Sequence, residues 1–235
     1  MFGKAGLERS VLRHALVAAL GAAVLTAFWI SRRDWSPEHR FWRATGDASL
    51  VLLMLSLAIG PLARLRPSLA RWNPWRREIG IWAAVWAAVH TVTILDGWLR
   101  WDWLRLLGYE FVQELGRRAR LEPGFGLANA VGALALVIVV VLAVTSSDLA
   151  LRRIGGSGWR WLHQAAHTVL FLSVLHTAYF LFMHYTQSFH REPSPENWFR
   201  WPFVVSVLML WGLQGVVFAR EVRARGGARS AGEPL

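Results

Sequence analysis

Residues 161–184 read WLHQAAHTVLFLSVLHTAYFLFMH, an apolar run that contains four histidines. A helix needs about 20 predominantly apolar residues to cross a hydrocarbon core about 30 Å thick, so this run is long enough to span a membrane. Imidazole always carries a donor or a lone pair that must be satisfied, which makes histidine costly in such a segment. The stretch therefore predicts a membrane span whose histidines bind specific partners.

The rest of the chain has the composition of a membrane protein. Of its 235 residues, 54% are hydrophobic and only 17% are charged. Backbone groups in lipid must be hydrogen bonded within the protein, so the apolar runs are expected to be helices. We predict an all-α membrane protein, a six-transmembrane-helix bundle. The predicted spans are residues 11–30, 48–65, 79–95, 127–144, 162–183 and 203–218.

The charges predict how the bundle is oriented. With six spans and the N-terminus inside, the inside segments hold 15 of the 26 Lys and Arg residues but only 5 of the 15 Asp and Glu residues. This bias is expected for a multi-pass membrane protein that has an even number of spans and both termini in the cytoplasm. We assign residues 1–10 to a cytoplasmic N-terminus, 11–220 to the membrane domain and 221–235 to a disordered cytoplasmic tail. The arginines lie between apolar runs and not on one solvated face, which argues against nucleic-acid binding.

Two predicted outer loops, 98–126 and 185–201, are long for a small bundle. In the first loop, apolar residues recur every three or four positions from Trp103 to Leu115. This period predicts an amphipathic helix that lies on the membrane surface. Such a helix either forms a docking platform for an outer partner or only caps the bundle.

Histidine is the main candidate for a metal ligand, because the chain has no cysteine. Disulfides, iron–sulfur clusters and covalent haem attachment are thereby excluded. At 1.5 Å per residue, His90 lies about 18 Å and His176 about 24 Å from the inner ends of their spans. Two imidazoles at similar depth favour a b-type haem, since zinc normally requires three or four protein ligands. A structural hydrogen-bond network and a proton-coupled transporter are the open alternatives.

Three further histidines are expected to differ from this pair. His163 lies near the inner surface and about 140° around an ideal helix from His176, so either the helix is irregular or the two residues face different neighbours. His167 shares the face of His163 and is a reserve ligand. His184 lies near the outer end of the span, where we expect water to satisfy it.

Arg76 precedes His90 by 14 residues and therefore lies on the same helix face at the inner level. A guanidinium there could bind a haem propionate or a flavin phosphate. The simpler interpretation of a single arginine at this level is a positive-inside anchor.

Four stretches together resemble the ferric reductase-like transmembrane family, over about residues 45–176. They are TGDASLVLLMLSLAIGPLARL (45–65), RREIGIWAAVWAAVH (76–90), LAVTSSD (142–148) and WRWLHQAAHTVLFLSVLH (159–176). Within that family the resemblance is strongest to haem-binding subunits of bacterial periplasmic methionine sulfoxide reductase systems.

The resemblance implies a set of ligands. Members of the wider family usually hold two stacked haems with two histidines on each of two helices. This chain matches three of the four positions, His90, His163 and His176, and the fourth falls near Arg76. The implied assignment is one haem b whose iron is bound by His90 and His176. His163 is then a candidate ligand for a second haem or a flavin such as FMN.

The resemblance also implies electron transfer across the membrane without bond-making chemistry in this chain. The implied donor is a cytoplasmic flavin reductase or the quinone pool. The implied acceptor is a periplasmic molybdenum-containing methionine sulfoxide reductase or another periplasmic partner. Two alternatives stay open: a ferric reductase that acts on chelated metal, and a non-redox transporter or assembly subunit with structural histidines.

Overall fold

The computed structural model describes residues 4–121, 123–184 and 196–230. Within these ranges, six helical segments are long and apolar enough to cross a membrane. They are Glu8–Ser31, Pro37–Leu65, Trp75–Leu99, Gly124–Val144, Gly156–Met183 and Arg200–Gly226. The prediction of a six-helix membrane bundle is confirmed.

The helices are α1 (Lys4–Ser31), α2 (Pro37–Leu65), α3 (Trp75–Thr93), α4 (Trp103–Leu106), α5 (Pro123–Val144), α6 (Asp148–Ile154), α7 (Gly156–His163), α8 (Ala165–Ala178) and α9 (Arg200–Ser230). Two antiparallel strands, β1 (Tyr109–Val112) and β2 (Arg117–Arg120), form a hairpin between α4 and α5. Helix α3 continues as π-helix through Ile94–Leu99, and α8 continues as π-helix through Tyr179–Met183. Short 3₁₀ turns lie at Pro67–Trp72 and Gln113–Leu115.

Helix α2 is the central element of the bundle, since it packs against α1, α3, α8 and α9. Its first turn is stabilised by Pro37 and by Ser36, whose Oγ accepts a hydrogen bond from the His39 backbone N–H at 3.4 Å. Ala44 and Leu52 of α2 are fully buried and belong to the main hydrophobic cluster. Small and branched side chains on one helix thus let four neighbours pack closely around it.

The two ends of the bundle differ in their contacts. We call one the hairpin end, because it carries β1 and β2 together with the chain turn after Ser31 and the start of α9. At the opposite end, ion pairs join helices that are distant in sequence. These pairs are Arg13–Glu78 at 3.0 Å, Arg64–Glu221 at 2.8 Å and Arg77–Asp148 at 2.9 Å.

The prediction of an amphipathic helix from Trp103 to Leu115 is wrong. Only the four residues of α4 are α-helical, and the hairpin follows, with a 3₁₀ turn at Gln113–Leu115 between its strands. Gly108 and Gly116 have φ angles of 85° and 58°, which a right-handed helix does not allow. The aromatic and β-branched residues of β1 favour an extended strand instead.

The last helix is longer than the sequence predicts. We expected a disordered tail from residue 221, but α9 continues to Ser230, and residues 231–235 lie outside the described residues. Residues 221–230 include three Arg and two Ala residues, which favour helix, and contain no proline. Most of the predicted second outer loop, residues 185–195, also lies outside the described residues.

Candidate functional site

His90 of α3 and His176 of α8 face each other across the bundle. Their ring centres are 6.4 Å apart, and the ring planes are inclined by 78°. His90 Nδ1 lies 2.9 Å from the carbonyl oxygen of Trp42, and His176 Nδ1 lies 2.8 Å from that of Ala128. A carbonyl only accepts hydrogen bonds, so each Nδ1 carries the hydrogen. Each Nε2 therefore keeps its lone pair for another partner.

The separation of the two rings matches that of two ligands on one metal ion. An imidazole nitrogen binds a transition metal at about 2 Å, and the ring centre lies about 1 Å behind the nitrogen. Two imidazoles on opposite sides of one ion therefore have centres about 6 Å apart. The observed 6.4 Å between His90 and His176 leaves room for one such ion.

Two glycines allow the imidazoles to lie directly against neighbouring helices. A Cβ atom at Gly132 of α5 would lie 2.6 Å from His176 Nδ1, and one at Gly46 of α2 would lie 3.1 Å from His90 Cε1. Both distances are shorter than ordinary van der Waals contacts. Sequence reasoning missed these residues, although a lone glycine in an apolar helix is a recognisable signal of close approach.

A cavity of about 260 Å³ extends between the two histidines. It is formed mainly by apolar side chains of α2, α3, α5 and α8, and it has two charged lining residues, Arg43 and Asp47. A smaller cavity of about 60 Å³ also borders both histidines and reaches Trp98 near the hairpin end. The space is thus apolar over most of its surface, with polar groups at a few positions, as cofactor sites usually are.

The protein ligands fit a haem better than an isolated metal ion. Among the described residues, no group of three or more His, Cys, Asp or Glu side chains could hold a metal ion. A haem supplies four nitrogen ligands itself and requires only two axial ligands from the protein. His90 and His176 could provide these two ligands.

His163 has different neighbours. Its ring stacks on Trp159 at 3.9 Å, and its Nε2 lies 3.4 Å from Thr145 Oγ1. Helices α7 and α8 are separated at Gln164, so the predicted span is irregular at this point. As their spacing indicated, His163 and His176 do not lie on one face of the helix in the structure.

Arg76 lies at the opposite end of the bundle from the hairpin, against α2. Its Nε donates to the Ser56 carbonyl oxygen at 3.3 Å, and a Cβ atom at Gly60 would lie 3.1 Å from its Nη1. It interacts electrostatically with His167. Arg76 and His163 thus have separate sets of neighbours.

The prediction that water satisfies His184 is wrong. Only 1% of this residue is exposed, and its ring lies between those of Trp98, Phe125 and Phe180, with centres 5.3–5.4 Å away. The π-helical segment Tyr179–Met183 immediately precedes it. A π turn holds more residues than an α turn, so it rotates the following side chain relative to α-helical register.

Comparisons with known proteins agree on one family. The model of the ferric reductase like transmembrane component matches residues 45–167. Protein-methionine-sulfoxide reductase heme-binding subunits named MsrQ are similar to the chain. The one from Herminiimonas arsenicoxydans is 33% identical over 145 residues, which are 60% of this chain and 58% of that protein.

Two further relatives carry the same name. The subunit from Bordetella pertussis is 32% identical over 154 residues, covering 63% of this chain and 66% of the relative. The subunit from Ralstonia nicotianae is 32% identical over 166 residues, covering 69% and 67%. The chain therefore spans about three fifths to two thirds of the relatives' lengths.

Proposed function

The chain belongs to the ferric reductase-like transmembrane family. We propose that it is a haem b electron-transfer subunit in which His90 and His176 are the axial ligands of the haem iron. The relatives' name, heme-binding subunit, supports the class of cofactor. The observation that carries the assignment is the facing pair of imidazoles, 6.4 Å apart, with both Nδ1 atoms hydrogen bonded to carbonyl groups.

In this proposal the protein binds and orients the cofactor. The carbonyl groups of Trp42 and Ala128 hold the two imidazoles in one tautomer and raise the basicity of Nε2. The apolar lining of the cavity excludes water, which strengthens the influence of nearby charges. A haem b bound there would supply a centre that takes up and releases one electron.

The proposed orientation of the bundle follows from the charge distribution, and the proposed donor and acceptor follow from the resemblance to the family. The basic residues concentrate at the end opposite the hairpin, which we assign to the cytoplasm of a bacterial inner membrane. Electrons then come from a cytoplasmic flavin reductase or the quinone pool. They leave at the hairpin end to a periplasmic acceptor, for which the relatives' name suggests a methionine sulfoxide reductase. We propose that this acceptor is of the molybdenum-containing type.

His163 and Arg76 contact different residues, but both lie at the end opposite the hairpin, where we propose a second centre, either a second haem or FMN. A second haem with two imidazoles would need another histidine in addition to His163. A flavin would instead use Arg76 or its neighbour His167 for a phosphate group. The variant His163→Ala distinguishes these choices, because only loss of a second haem lowers the haem content.

The test of the proposal is the haem content and the reduced-minus-oxidised absorbance spectrum of the purified protein. The wild type should show the bands of a low-spin b-type haem, and His90→Ala and His176→Ala should each lose these low-spin bands. His14→Ala, a histidine of α1 outside the candidate site, is the control and should keep them. A colourless wild type from haem-replete cells would support the non-redox alternative and reject the proposal.

A further inference from the structure

A buried ion pair lies beside the proposed haem site. Arg32 Nη1, just beyond the end of α1, is 2.6 Å from Asp47 Oδ2 on α2. Their side chains are only 1% and 10% exposed. The rings of Phe28 and Trp35 surround the guanidinium, with centres 5.3 and 5.6 Å away.

The two partners differ in their position relative to the cavity. Asp47 lines the cavity between His90 and His176, and it follows Gly46, which contacts the His90 ring. Arg32 is not among the residues that line this cavity. The negative member of the pair is therefore the one next to the site, and the positive member lies behind it.

Arg32 is also held at the hairpin end. Its Nη2 donates to Asn197 Oδ1 at 3.4 Å, and the backbone N–H of Phe199 donates to the same oxygen at 3.1 Å. The ion pair thus joins α1, α2 and the segment that precedes α9. Its charges are fixed in position and shielded from water, so they act at low dielectric.

Charges near a redox centre shift its midpoint potential with a definite sign. Reduction adds one negative charge, so a nearby carboxylate disfavours it and a nearby guanidinium favours it. We propose that the Arg32–Asp47 pair sets the potential of the centre held by His90 and His176, an inference that rests on the proposed function. In the wild type the charge of Arg32 largely compensates that of Asp47.

The alternative is a purely structural ion pair. Breaking a buried pair destabilises a protein whichever partner is removed. A structural pair therefore predicts effects of the same kind for both single variants. A pair that sets the potential predicts shifts of opposite sign, which a loss of stability does not produce.

The experiment is a redox titration of the purified full-length protein loaded with haem, in alkaline buffer so that an unpaired Asp47 stays ionised. Asp47→Asn leaves the guanidinium uncompensated and should raise the midpoint potential. Arg32→Gln removes the positive charge that is paired with the Asp47 carboxylate and should lower the midpoint potential. The double variant should fall between the two. The matched control is the exposed pair at the other end of α2, tested as Arg64→Gln and Glu221→Gln, which should leave the potential unchanged.

The outcomes separate this inference from the proposed function. Absence of haem from the wild type would reject both. The inference alone would be overturned if the variants bind haem with unchanged axial-ligand spectra and their midpoint potentials stay constant or move in the same direction. If either single variant fails to accumulate, the exchanged pair Arg32→Asp with Asp47→Arg retains both charges. It should raise the potential, and a lowered or unchanged potential would overturn the inference.

Discussion

Replacement of Gly132 by alanine should loosen the haem without unfolding the bundle. The new Cβ atom would lie 2.6 Å from His176 Nδ1, so the imidazole must move away from α5. The movement lengthens the hydrogen bond from Nδ1 to the Ala128 carbonyl group, which is 2.8 Å in the native protein. The methyl group itself favours helix, so the secondary structure of α5 should persist.

The magnitude follows from overpacking. An extra methyl group in a packed interior costs about 1–3 kcal/mol, to which the weakened hydrogen bond adds up to about 1 kcal/mol. Since about 1.4 kcal/mol corresponds to a factor of ten, haem affinity should fall by about one to three orders of magnitude. The assay is the rate of haem loss to an excess of a haem-scavenging protein, together with the haem content after purification.

Two other glycines calibrate this result. Gly46→Ala should have a smaller effect, because its Cβ atom would lie 3.1 Å from the His90 ring. Gly212→Ala on α9 should have none, because nothing lies within 4 Å of its Cβ position. If Gly132→Ala retains haem as long as Gly212→Ala does, the proposed position of the His176 imidazole is refuted.

Two further predictions concern stability, measured by thermal unfolding in detergent. Glu78→Gln should destabilise the bundle by about 1–3 kcal/mol, since Glu78 is 1% exposed, accepts a hydrogen bond from Arg13 Nε and forms an ion pair with Arg13 Nη2. Glu221→Gln at the exposed Arg64 pair should cost less than about 1 kcal/mol. Equal losses of stability would contradict the difference in burial. His184→Ala should lower the free energy of unfolding by about 2–4 kcal/mol, because it opens a cavity among aromatic rings. The haem bands should stay intact in this variant. Loss of the bands would instead indicate that His184 acts at the haem site.

The sequence predicts the spans and the pairing of His90 with His176 for a simple reason. Both depend on the length of a helix per residue, which local irregularities change only slightly. The break at Gln164 and the π-helical segments alter the rotation of side chains far more than their depth. Counting residues along the helices therefore predicts that His90 and His176 lie close together, as the structure shows, but it does not predict the surroundings of His184.

The remaining features depend on which helices become neighbours. Gly46 and Gly132 matter only because α2 and α5 pack against α3 and α8. Arg32 and Asp47 pair across 15 positions of sequence that include a chain turn. The predicted spans 11–30 and 48–65 leave both residues outside the bundle interior. The hairpin depends on left-handed backbone at Gly108 and Gly116, which a search for helical periods does not detect.

We propose above that His90 and His176 bind the iron of one haem as axial ligands. Electron paramagnetic resonance of the oxidised protein tests this assignment most directly. The spin state reports the number of strong axial ligands, and the anisotropy of the signal reports the angle between two imidazole planes. The wild type should give a low-spin ferric signal of high anisotropy, as expected for planes inclined by 78°. His90→Ala and His176→Ala should each convert to a high-spin signal or lose haem. A high-spin wild type, or a low-spin signal that persists in either variant, would contradict the assignment.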